Sequence, residues 1–416
     1  MKLNIKDYGA IGDGRTITTK ALQQAIDDAA KQAAILVVPP GTYLCGSLFL
    51  REGMALEIQK DAVLLGSPCL DDYVIADTRF EGRTCQWPLA LLNAQDIEGV
   101  HVYGEGTLDG NGIPFYTDFW EKREQAIALD SPFSNRDVMR PRLFFIERCS
   151  SVTVEGITLR NSAFWNLHLY DSRDIIVSGI TIQAPHEGVR AASSDAIDID
   201  ACQHVIIRDC DFSTDDDCVC IKGGKGPDAH VTNKPTEDIL VENCRFGFGH
   251  GVITFGSEAS IVRNVRIRSC VVEGENTLVR YKFRGDTYQH FEHVLFEDIT
   301  IRNGGWLFDV RSWISRQDEL LGENQMSIVS DLVIRNITAT DMQSPGVLGE
   351  SSDYLKLEGI VLQSINFTSA PDATGSLVRA DVHEKQEAPV GVLSYDTSGD
   401  IVFRDVLIDG EILRNA

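Results

Sequence analysis

Six side chains that could do chemistry recur at intervals that a repeating backbone would bring onto one surface. Asp195 and Asp216 are 21 residues apart, and Asp217 follows directly. His250 comes next, then Arg280 and Lys282, which are two apart and so share a face if they lie in a strand. Crowded carboxylates raise one another's pKa, which keeps one of them protonated at working pH. One carboxylic acid can then protonate a departing oxygen while others hold and deprotonate a water. Cations alongside would bind the carboxylate of an anionic substrate and offset its repulsion from the aspartates. Together the set suits hydrolysis of an acidic glycoside. The same residue types also fit a solvated acidic rim, or a calcium site built from aspartates.

A repeat is what could align them. The phrases SVTVEGITL, DIIVSGITI, HVIIRDCDF, DILVENCRF, NVRIRSCVV, HVLFEDITI, DLVIRNITA, GIVLQSINF and DIVFRDVLI recur along the chain. Counting from the second letter as position 0, apolar residues fall mostly at positions 0, 2, 5 and 7. Positions 0 and 2 alternate as in a strand, and a bend between 2 and 5 lets positions 5 and 7 also face inward. β-branched residues dominate the short phrases, which disfavours long helices. The pattern predicts an all-β chain, a right-handed parallel β-helix whose stacked coils bury a continuous core. Asp216 lies 11 residues after Val205, and His250 lies 11 after Ile239, so both hold the same place on successive coils. At position 5, Cys210, Cys244 and Cys270 replace isoleucine, which reads as an interior ladder of small apolar side chains. The N-terminus departs from the pattern. Thr18 to Ala34 is rich in helix formers at helical spacing and predicts a capping α-helix over the open end. The expected organisation is a single solenoid domain over 1–416, with a cap and first coil over about 1–45 and a last loop and coil over about 370–416.

Composition limits the partners. The 416 residues carry a net charge of −24, which makes nucleic acid and anionic membrane poor partners on electrostatic grounds, and neither is expected. An anionic substrate needs local cations, which Arg280 and Lys282 would supply. The ten cysteines are expected to be free thiols, because a chain this long needs no staples. The opening MKLNIKDYGAIGDG has no apolar signal region. The expectation is a cytoplasmic protein if the sequence is complete, and a secreted or periplasmic one if a signal was removed. Oligomeric state is not legible.

The chain resembles glycoside hydrolase family 28, the polygalacturonases and related pectin hydrolases. YGAIGDG with the following helix resembles the family's N-terminal cap, GEGTLDGNG its early glycine-rich coil, and SAFWNLHLYDS its S-P-x-W-x-x-H phrase. SSDAIDI matches N-T-D-G-x-D-I, DDCVCIK matches D-D-C-[VI]-[AS]-[IL]-K, Gly249 to Gly251 match G-H-G, and RYK matches R-[IL]-K. The resemblance implies hydrolysis of α-galacturonides with inversion and without a metal. It implies Asp216 as general acid, Asp195 and Asp217 as bases for the attacking water, and His250 as the group that tunes the acid. It implies Arg280 and Lys282 as holders of the uronate. Coils stacked ~5 Å apart would bring carboxylates nearer than the ~6.5–9.5 Å usual for inverting enzymes, a tension settled here in favour of the family. Lys222 and His168, the latter three residues after Trp165, are further candidates for substrate contact. Packing is the better reading for Trp120, and a solvated strand face for Asp198 and Asp200. Ser193 and Ala196 stand where the family has Asn and Gly. The loop after IKGG, and the Arg284, Tyr288 and His290 that follow RYK, resemble exo-acting or rhamnogalacturonan-directed branches. Exo action is therefore expected, with an endo-polygalacturonase or rhamnogalacturonan hydrolase as the alternative. In other classes, the alternatives are a β-helix pectate lyase and a non-catalytic carbohydrate-binding solenoid.

Overall fold

The bend in each phrase is made by one residue in the left-handed backbone region. Position 4 is Gly156, Gly179, Asp209, Asn243, Ser269, Asp298, Asn336, Ser364 and Asp405 in turn, all with φ between 53 and 73°. A left-handed turn suits glycine, and Asn and Asp tolerate it better than bulkier side chains do. A second left-handed residue precedes position 0, as at Asp174, His204, Asp238, Asn264, His293 and Asp331. Residues at these corners bond from coil to coil. Asn264 Nδ2 donates to Asp238 Oδ1 at 3.1 Å, and Asn336 Nδ2 to Asp298 Oδ1 at 3.0 Å. With two corners so fixed, positions 0, 2, 5 and 7 turn inward, and nearly all of them are buried from Val152 to Val406.

The computed structural model describes residues 1–185, 188–313, 320–377 and 386–414. The fold is a right-handed parallel β-helix. Its chain divides into two compact units, Met1–Asp198 with His204–Asp215, and Ile199–Gln203 with Asp216–Ala416.

In the first unit, strands of successive coils pair in parallel rows. One row runs through Lys2–Asn4, Ile35–Val38, Ala55–Ile58, His101–Gly104, Ser150–Glu155 and Arg173–Ser178. Another carries an inner column of Leu64, Leu108, Leu159, Ile182 and Phe212 in register. A further row joins Leu48–Phe49, Leu92–Gln95, Phe144–Glu147 and Leu167–Tyr170. The N-terminal helix spans Thr19–Lys31, shorter at both ends than its periodicity suggests, and buries Leu22, Ala25, Ile26 and Ala29. Full burial of such an aliphatic side chain is worth about 1.5–3 kcal/mol. Two features have no forerunner in the sequence reading. One is the helix Ile113–Ala128, started by a proline in its first turn. The other is the antiparallel hairpin of Ile75–Phe80 and Arg83–Pro88.

The second unit is built on long bent strands that pair in parallel. Gln289–Arg302 pairs with Ser327–Met342, which pairs with Ile360–Ser369 and through it with Ile401–Ile408. Ile267, Phe296, Ile334, Leu362 and Phe403 stack as one core column. The remaining row is Val219–Lys222, Ile253–Phe255, Val279–Phe283, Trp306–Ser312, Ser344–Leu348 and Ser394–Tyr395. Among the described residues no cysteine is assigned to a disulfide, and Cys210, Cys244 and Cys270 are buried at their position-5 places. Among the described residues no helix is long and apolar enough to cross a membrane.

Candidate active site

The row that begins at Val219–Lys222 gathers most of the candidate residues. Its pleat sends alternate side chains to opposite faces. Ile221, Phe255, Tyr281 and Val310 form one column in register, and the rings of Phe255 and Tyr281 stack at 4.1 Å. Cys220, Thr254, Arg280 and Asp309 form the column on the opposite face. The apolar stack holds the backbone, and the backbone sets the spacing of the polar column.

Asp217 sits at the centre of that column's charges. Arg280 Nη1 donates to its Oδ1 at 2.9 Å, Lys282 Nζ to its Oδ2 at 2.7 Å, and Thr254 Oγ1 to Oδ1 at 2.7 Å. Asp217 is 1 % exposed, Arg280 0 % and Lys282 8 %. Burial pushes the Asp217 carboxyl up, yet the charges of Lys282, Arg280 and His250 hold it well below the usual carboxylate range. Burial and the neighbouring Arg280 disfavour the Lys282 ammonium, but Asp217 and Asp216 outweigh them and raise its pKa. The trio is therefore an ionised carboxylate held between two permanent cations. Arg280 is braced from its other side by Asp309, with Nε 3.4 Å from Oδ2.

Asp216, the next residue back, meets different partners. His250 Nδ1 lies 3.2 Å from its Oδ1, and the Asp217 amide donates to the same oxygen at 3.0 Å. Backbone bonds fix the two segments on each other: His250 N donates to Asp216 O at 3.0 Å, and Cys218 N to Gly251 O at 2.7 Å. Asp216, Asp217, His250, Arg280 and Lys282 are thus brought together in the second unit. Gly251 faces the cluster. A Cβ there would meet Thr254 Oγ1 at 2.1 Å, Asp217 Oδ1 at 3.0 Å and Arg280 Cδ at 3.3 Å. Gly251→Ala is expected to lower kcat at least about tenfold, because ångström-scale misplacement near reacting groups can cost 10²-fold. Unchanged steady-state kinetics in that variant would show that the Asp217 nest tolerates displacement.

The other candidates are placed as follows. Lys222 is 4 % exposed, with Nζ 3.3 Å from Glu258 Oε2. Burial raises the Glu258 carboxyl, but Lys222, Lys225 and Lys282 together hold it far below its ordinary value. Asp195 lies in the first unit, 4 % exposed, and its backbone carbonyl accepts from Asn166 N at 2.9 Å. His168, also in the first unit, is 0 % exposed. Its Nδ1 lies 2.8 Å from Arg142 Nη1, and its ring lies 4.9 Å from both Phe145 and Trp165. Trp120 packs on Phe119 and donates from Nε1 to Arg190 O at 2.8 Å. One expectation is corrected. Asp198 and Asp200 are fully buried rather than solvated, since every residue of Ile197–Asp200 is covered on both faces. Arg284 is likewise buried in a two-pronged ion pair with Asp286, and His290 bonds Ser330 Oγ at 3.0 Å.

Sequence reading missed Thr254, Glu258, Asp309 and Trp313, whose ring lies 5.2 Å from Lys282 Nζ. A signal for Thr254 and Asp309 was present. Each pairs in register with Arg280, one coil before and one coil after. Glu258 and Trp313 lie on loops, where coil counting gives no position.

Residues 55–383 match the profile of Glycosyl hydrolases family 28, and residues 2–86 that of Rhamnogalacturonase A/epimerase, pectate lyase-like. The chain is 29 % identical over 370 residues to a probable polygalacturonase of Vitis vinifera, covering 86 % of this chain and 70 % of that one. It is 27 % identical over 290 residues to an exo-poly-alpha-D-galacturonosidase of Dickeya chrysanthemi, covering 61 % of this chain and 47 % of that one. Among solved structures it is similar to a hyperthermoactive exopolygalacturonase from Thermotoga maritima. The TM-score is 0.78 at 25 % identity, over 99 % of this chain and 93 % of the other.

Proposed function

The chain belongs to family 28 of the glycosyl hydrolases and is a galacturonide-cleaving glycoside hydrolase, and from that premise we propose that it works by inversion, from chain ends, with Asp216 as the general acid. The observation that carries the assignment is the contrast between two adjacent aspartates. Asp217 is pinned in its ionised form by Arg280, Lys282 and Thr254, which suits a carboxylate that always stands ready to accept a hydrogen bond from the attacking water and orient it. Asp216 instead meets the His250 imidazole and the Asp217 amide, a hydrogen-bonding setting unlike the cation clamp on Asp217, which suits the group that protonates the leaving oxygen. Asp195 enters as a second base through its motif. Lys282 keeps two further N–H bonds beyond the one to Asp217, and these, with Arg280 and Lys222, would take the uronate carboxylate.

Exo action is supported by the loop after Lys222. It carries a short helix, Ala229–Thr232, and is tied down by Gly226 N donating to Thr287 Oγ1 at 2.8 Å. His230 on this loop lies against Tyr288 at 5.1 Å. A loop held in place next to Lys222 would restrict binding to the ends of a substrate chain. Incubation with galacturonate oligomers of defined length, with chromatography over time, tests the reading. Monomer from the first time point is expected, with no product absorbing in the ultraviolet. Intermediate oligomers would mean internal attack, and an unsaturated product would mean elimination. Lys282→Ala is expected to raise KM about tenfold to a hundredfold, since a charge-assisted bond is worth about 1.5–3 kcal/mol. Equal activity on neutral galactosides would remove uronate recognition.

A further inference from the structure

Asn276 lies four residues before Arg280, on no motif, and its amide joins the two catalytic segments of the second unit. It is 2 % exposed. Its Nδ2 donates to Cys218 Sγ at 3.3 Å, directly after Asp217, and to Gly247 O at 3.2 Å, on the approach to His250. It also accounts for the glycine before His250. A Cβ on Gly249 would meet Asn276 Nδ2 at 2.7 Å and Cys218 Sγ at 2.8 Å. The backbone on either side completes the joint: Gly249 N donates to Glu275 O at 3.2 Å, and Val252 N to Thr277 O at 2.8 Å.

The other end of the amide is different. Among the described residues, Asn276 Oδ1 is buried without a hydrogen-bond donor. Asn276 itself borders a cavity of about 10 Å³ whose wall also includes His250, Glu275, Thr277 and Leu377. That is about the volume one water occupies, and a buried carbonyl left dry is costly.

We propose that Asn276 is a positioning residue for His250: its amide nitrogen locks the Gly247–Gly249 approach onto Cys218, and its oxygen holds a water in the cavity beside the imidazole. Asn276 touches no reacting atom and acts through the His250–Asp216 pair. The proposal rests on the hydrolase reading above, and its test separates the two.

The test is a double-mutant cycle on oligogalacturonide hydrolysis, with thermal midpoints recorded for each variant. Asn276→Ala is expected to lower kcat roughly tenfold with KM within about twofold, and to change kcat less than about twofold when His250 is already alanine. Asn276→Asp, which keeps the volume but loses both donated bonds, is expected to behave alike. Additive losses in the cycle, or a rise in KM that matches the fall in kcat, would overturn the proposal. If both variants unfold, a crystal structure of the unaltered protein decides: a water bonded to Asn276 Oδ1 supports it, and an empty cavity overturns it. Full activity of Asp216→Asn would instead sink the underlying reading, whatever Asn276 does.

Discussion

Asparagine at Asp216 is expected to lower turnover about 10²- to 10⁴-fold, the range that a positioned proton donor contributes. The amide is nearly isosteric with the acid, so His250 keeps a neighbour at the same distance and the Asp217 amide keeps its acceptor. Substrate affinity and thermal midpoint should therefore change little. The loss should also depend on the leaving group. An activated aryl galacturonide needs no proton on its departing oxygen and should recover much of the lost rate. A natural glycosidic bond should not. Equal losses on both substrates would take Asp216 out of the acid role and leave its position unexplained.

The fold was legible because the repeat writes its core at fixed intervals. Positions 0, 2, 5 and 7 announced inward-facing residues, and Val265, Ile267, Cys270 and Val272 are all buried as that pattern requires. The corner was also written in the sequence, as Gly, Asp, Asn or Ser at every position 4, but reading it needs the backbone argument for left-handed residues. What lies outside the coils was not legible. The helix Ile113–Ala128 buries Phe115, Tyr116 and Phe119, yet its apolar residues follow no clear stripe, because they pack against loops rather than a flat sheet. Asp198 and Asp200 looked solvated because alternation with Ile197 and Ile199 ordinarily means one wet face. Here both faces of the strand are covered. At the site, coil arithmetic placed Asp216 level with His250 and set Arg280 beside Lys282. It could not say that the two cations would close on Asp217 before meeting any substrate. That follows from side-chain reach and burial, neither of which spacing encodes.

The Asp217 trio makes a second large effect, on stability as well as rate. Asp217→Asn leaves Arg280 and Lys282 buried with their shared anion gone, while Asp309 stays beside Arg280. Breaking a buried ion pair by removing one partner typically costs about 3–5 kcal/mol. The pH dependence has a definite sign. Asp217 is held below its unfolded value, so its stabilisation is fully present above the unfolded pKa, near 4 for aspartate, and is lost as pH falls through the lower folded value. The thermal midpoint of Asp217→Asn should lie furthest below that of the unaltered protein at neutral pH, and the gap should narrow in acid below about pH 4. Adding Lys282→Met removes one of the stranded cations and should restore part of the midpoint without restoring any hydrolysis, since a well-packed apolar group replaces a buried charge at little cost. A gap that widens in acid, or a double variant that regains activity, would mean that Asp217 is neither the anion on which this clamp closes nor the base it holds ready.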